Sequence, residues 1–87
     1  MNNIRTQIIG ELDRFKEHKE NLYYKLVVAI SELSEKECLA KWELGEKEHG
    51  VINEDSLKEL DIDKAFKEEV IDAFWYSVMQ ELKSTTP

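Results

Sequence analysis

Proline occurs once in this 87-residue chain, as its last residue, and glycine only at positions 10, 45 and 50. A fold of many short strands needs turn residues every ~8–12 positions, so a chain this poor in them speaks against an all-β architecture. Cysteine is also single. Cys38 alone excludes a disulfide framework and a four-cysteine zinc site. The longest unbroken apolar run covers residues 26–30, far short of the roughly 18 residues that cross a bilayer. Met1-Asn2-Asn3-Ile4-Arg5 lacks the basic-then-apolar order of a secretory signal, so the expected location is cytoplasmic, where an unpaired thiol stays reduced. Basic side chains number 12 against 19 acidic ones. The resulting net charge of −7 argues against direct nucleic-acid binding, and no membrane partner is expected.

Hydrophobic residues make up 41% of the chain and charged ones 36%. That supports one small core, and the length is too short for two. The expectation is a single all-α domain over residues 1–87, a small antiparallel bundle of three to four helices. Ile4, Ile8, Leu12 and Phe15 recur at helical spacing, and the stripe resumes through Leu22, Leu26, Ala29 and Leu33 after a lapse at His18-Lys19. This reads as one long helix or as two joined near Glu20-Asn21. Residues 23–30 are rich in β-branched and aromatic side chains and would also suit a buried strand, but only Val51-Ile52 offers a partner. Ser34 with Glu37 fits a capping box, followed by a helix over residues 35–48 with Leu39 and Trp42 turned inward and Gly50 as a left-handed stop. Residues 51–55 read as a loop. Ser56 with Glu59 fits a second box, and the apolar phase slips near Asp61. A strong helical pattern covers residues 63–83, and residues 84–87 read as a frayed tail.

Charge is uneven along the chain. Residues 51–87 hold nine acidic and four basic side chains. The excess sits at Glu54, Asp55, Glu59, Asp61, Asp63, Glu68, Glu69 and Asp72, a layout suited to docking a basic protein partner. The same acids also serve as solvated residues at helix N-termini. Two apolar stripes run along the last helix, Phe66, Val70, Phe74, Val78 and Leu82 on one side and Ile71, Trp75 and Met79 on another. One stripe fills a core, and the second fills either the core or an interface, including one between two copies of the chain. Trp75 with Tyr23 and Tyr24 are the aromatic residues expected to hold a partner.

Catalytic chemistry finds little support. His18 and His49 lie in charged stretches that read as exposed, and Cys38 beside Leu39 reads as a small core residue. Glu46 and His49 have a metal-ligand spacing, but a di-metal helical site needs two such pairs and further glutamates. No catalytic residue, metal or cofactor is expected.

Asp55-Ser56-Leu57 resembles the phosphopantetheine attachment tripeptide of acyl carrier proteins, and residues 60–70 loosely follow the acidic second helix of that family. Ile8-Ile9-Gly10-Glu11 is similar to its first helix. That resemblance implies a prosthetic arm on Ser56 and acids that dock partner enzymes. The chain departs from the family in the ~45 residues between the two stretches and in the thirty that follow Leu57. Tyr23-Tyr24 also resembles the tyrosine pair of nuclease-colicin immunity proteins, though Lys25 stands where that family has proline. The functional expectation is a non-enzymatic, acidic protein-binding module: an inhibitor, an immunity-type protein or an adaptor. The alternatives are an acyl-carrier-like protein modified at Ser56 and a structural homodimer.

Overall fold

In the computed structural model, which describes residues 3–85, every regular element is helical. Asn3 starts the first one. Its Oδ1 accepts from the backbone N–H of Arg5 at 3.0 Å and of Thr6 at 3.4 Å, satisfying two donors that a helix start leaves open. Helix α1 (Ile4–Gly10) passes through a tight 3₁₀ turn (Glu11–Arg14) into α2 (Phe15–Ser31). The irregularity therefore lies at Glu11–Arg14 and not near Glu20-Asn21, which are interior to α2. Arg14 sits at the end of that turn and reaches Glu11 at 3.3 Å and Glu17 at 2.8 Å, pairing acids on both sides of it. Residues 23–30, the strand alternative, lie within α2.

Helix α3 (Glu35–His49) starts where Ser34 Oγ accepts from Glu37 N–H at 3.2 Å. It stops at Gly50, whose φ of 87° belongs to the region that glycine alone adopts freely. The next cap differs from the sequence reading. Asn53 caps the short α4 (Glu54–Glu59), with Asn53 Oδ1 accepting from Ser56 N–H and Ser56 Oγ accepting from Asn53 N–H, both at 2.9 Å. Ser56 is thus the third residue of this helix and not its cap, because Asn53 completes both arms of a box that Ser56 and Glu59 do not form. Leu60 is extended, and Asp61 Oδ1 accepts from Lys64 N–H at 3.0 Å to open α5 (Ile62–Thr85). The phase slip near Asp61 is a chain break between helices. Ser84 and Thr85 belong to α5, contrary to the frayed-tail reading. Their hydroxyls donate to the carbonyls of Glu81 and Leu82 at 2.8 and 3.0 Å. Thr86 and Pro87 lie outside the described residues.

The fold is an all-α antiparallel bundle whose closed part is small. Arg14 meets Glu81 and Lys25 meets Ser77, so α2 and α5 run in opposite directions. Phe15 packs on Phe74 with ring centroids 5.3 Å apart, and His18 meets the same Phe74 edge-on at 6.2 Å. Val78 is wholly buried, which stabilises the seam by about 2 kcal/mol. His18, Phe74, Ser77 and Val78 are the buried residues among those described. The radius of gyration is 16.7 Å and the longest extent 49 Å. A compact chain of this length has a radius near 12 Å.

Two corrections follow from this packing. His18, read as exposed, is 1% exposed. Its Nε2–H donates to Glu11 Oε2 at 3.0 Å, the only direction open to an ionised carboxylate. Its Nδ1 lies 3.2 Å from Glu81 Oε2 at an angle that makes no hydrogen bond. Arg14 joins Glu11 and Glu81 on the outer side of the ring. Conversely Leu39, Trp42 and Cys38, read as core, are exposed, because α3 packs on neither α2 nor α5.

The hydrogen bond from His18, with Arg14 beside it, holds the Glu11 carboxyl below its ordinary value of 4.5. A lowered acid stabilises the fold above that ordinary value and loses the contribution as pH falls through the lowered one. Stability measured by urea unfolding should therefore drop on acidification below pH ~4.5, and Glu11→Gln should flatten that limb relative to the parent chain.

Candidate protein-binding surface

An apolar groove of about 800 Å³ lies between α3 and the returning segment of residues 51–60. Local sequence builds it. The 3.6-residue period places Cys38, Trp42, Gly45 and His49 on one side of α3. Gly50 then reverses the chain, so that Val51, Ile52, Ser56 and Leu60 form the facing wall, and Leu33 closes one end. Trp42 is 53% exposed on this floor, a large aromatic with no cover from its own chain. The opposite wall carries charge: residues 51–60 hold three acids and one lysine, and Asp61 and Asp63 follow directly.

The expected partner-binding residues divide between this region and the α2–α5 side. Glu54, Asp55, Glu59, Asp61, Asp63, Glu68, Glu69 and Asp72 are all exposed. None lines the groove itself. Glu54, Asp55 and Glu59 stand on the segment that forms its wall, Asp61 follows it, and Asp63, Glu68, Glu69 and Asp72 lie on α5. Tyr23 and Tyr24 contact each other edge-on at 5.9 Å and are 67% and 69% exposed. Tyr24 borders a second, shallower groove of about 530 Å³ between α2 and α5, together with Val28 and Tyr76. Trp75 is half-buried, packed edge-on against Phe74 at 5.3 Å, and belongs to neither groove. The expected residues are spread over three helices: acids on α4 and α5, Trp75 on α5 at helical spacing from Glu68 and Asp72, and the tyrosines on α2. Trp42, Val51 and Ile52 were not singled out as contact residues. The signal for them was the glycine at 50, which turns an apolar dipeptide back onto the helix before it.

Chemistry in the large groove is limited by spacing. Cys38 and His49 lie eleven residues apart on α3, roughly 16 Å along its axis, too far for a nucleophile and its base. Glu46 and His49 share the groove, but no group of three metal-ligating side chains gathers among the described residues. The Ser56 hydroxyl, besides accepting from Asn53 N–H, donates to the Asn53 carbonyl at 3.1 Å. No helix among the described residues is long and apolar enough to cross a membrane. In comparison with known proteins, no family model, curated protein or solved structure matches this chain.

The groove depends on the backbone at Gly50, where an added Cβ would meet no atom within 4 Å but would face a φ of 87°. Gly50→Ala should cost about 1–3 kcal/mol through backbone strain alone. Differential scanning calorimetry would read that loss, and Trp42 emission should shift towards that of a solvated indole as the wall lifts away.

Proposed function

We propose that this chain is a non-enzymatic protein-binding module that receives a basic, amphipathic segment of a partner protein along α3. The observation that carries the reading is the open apolar groove floored by Trp42 and walled by residues 51–60, with three exposed acids on that wall segment and Asp61 and Asp63 just after it. An apolar strip with one aromatic anchor and a charged rim is the layout by which grooves hold amphipathic helices. The acids speed encounter with a basic ligand, and Trp42, Leu33 and Leu60 hold it once docked. Such a module works as an inhibitor, an immunity-type protein or an adaptor, by occupying a basic surface of its target. The free, exposed thiol of Cys38 favours the reducing cytoplasm as the place where this happens.

The probe is a synthetic Lys/Leu amphipathic helix of about 18 residues, ~27 Å long. It is titrated into a Trp75→Phe variant so that Trp42 alone reports. The expected result is a blue shift of Trp42 emission on binding, with affinity falling about tenfold or more between low and high salt. Glu54→Gln with Glu59→Gln should weaken binding at low salt and leave the high-salt affinity nearly unchanged. No spectral change at ~100 μM peptide, or an affinity indifferent to salt, overturns the reading.

A further inference from the structure

The chain exposes 8094 Å², whereas a compact protein of its mass exposes about 5,300 Å². The difference, roughly 2,800 Å², is more than three times the ~800 Å² that one partner gives to a standard interface. A segment seated in the α3 groove accounts for one such patch, so further uncovered surface has still to be placed.

The C-terminal half of α2 supplies a site for it. Residues 21–31 contain a single charged side chain, Lys25; only residues 70–80 on α5, with Asp72, match that length with so little charge. Tyr23, Tyr24, Val27, Val28 and Ile30 on that stretch are each at least half exposed. A protein of net charge −7 meets a copy of itself against repulsion wherever its acids face each other. On this stretch they do not. A strongly basic partner, by contrast, finds no anionic complement here.

We propose that this face is covered by a second copy of the chain, with the two α2 helices antiparallel about a two-fold axis that passes between Val28 and Ala29. Charge complementarity fixes the register. At 100° per residue Tyr24 and Val28 form a ridge, and Lys25 and Glu32, seven residues apart, stand on the same side of it. Both border the groove between α2 and α5. Antiparallel copies about that axis set Lys25 of each opposite Glu32 of the other, and the overlapped residues 25–32 contain no other charge. Lys25 already donates to the carbonyl and hydroxyl of Ser77 at 3.3 and 2.9 Å, which orients its ammonium and leaves a third proton free. Tyr24 of each copy then reaches Leu33 of the other, and Tyr76 closes the flank. The contact is independent of the α3 groove, so a dimer with an empty groove and a monomer that binds peptide are distinguishable.

Sedimentation equilibrium of the purified chain from ~1 to 200 μM is the test. The expected mass is twice 10.2 kDa. Glu32→Lys, which sets lysine against lysine at both ends, should weaken the dimer roughly tenfold or more. Val28→Cys in a Cys38→Ala background should form a covalent dimer on mild oxidation, because the two copies of residue 28 lie beside the axis. That cross-link tests the register even if Glu32→Lys fails to fold. A mass of one chain at 200 μM overturns the proposal. So does a dimer that Glu32→Lys leaves intact and Val28→Cys does not cross-link.

Discussion

The seam between the first helical run and α5 carries the closed part of this structure, and polar residues set its register. Counted as a heptad, the inward positions of the first run are Ile8, Glu11, Phe15, His18, Leu22, Lys25 and Ala29. Across from them stand Val70, Phe74, Ser77, Val78 and Glu81. Three seam positions on one side and two on the other are therefore polar. They are paired: Glu11 accepts a hydrogen bond from His18, Glu81 binds the neighbouring Arg14, and Lys25 binds Ser77. A one-turn slip of α5 would take Ser77 from Lys25 and Glu81 from Arg14, leaving the buried Ser77 hydroxyl unsatisfied at a cost of about 1–3 kcal/mol. An all-leucine seam would tolerate that slip. We read the network as a register device, the use for which buried polar residues in helical pairs are best attested.

The same device leaves little apolar area for stability. Of the four buried residues among those described two are polar, and burial on this scale is modest for a domain of this size. Part of the remaining apolar surface lines two grooves and a sparsely charged stretch of α2, while Ile62 and Phe66 stand exposed among charged neighbours. Helix α3 is the extreme case: fifteen residues with a capped start and a glycine stop, packed on neither long helix. An isolated helix of that length is marginal in water. Its side chains acquire a purpose only when something else lies against them. The proposed function and the proposed second copy share this physical root while using different faces.

How far the sequence announced this differs from element to element. Helix ends marked by a polar side chain and its backbone partner were legible: Ser34, Gly50 and the break at Asp61 lie where their chemistry places them. Asn53 was missed because it and Ser56 compete for the same cap, and only the geometry of both hydrogen bonds decides between them. The interior was harder. The apolar stripe was followed through Leu12, which is more exposed than Glu11, the polar residue one position before it. The lapse at His18-Lys19 looked like a solvated turn and is the centre of the seam. A strict three-four spacing through 8, 11, 15, 18, 22, 25 and 29 was present, but hydrophobicity alone could not see it. The acids were easy to find and say little by themselves. The groove beside them required knowing how Gly50 turns the chain.

Amide hydrogen exchange of the free chain, followed residue by residue, tests most directly the claim that a closed seam supports an open half. The account predicts the slowest exchange around His18, Leu22, Phe74 and Val78. It predicts fast exchange through α3, with protection there appearing only when the Lys/Leu helix is added. Protection in the free chain as strong along α3 as along the seam, at all protein concentrations, would contradict it.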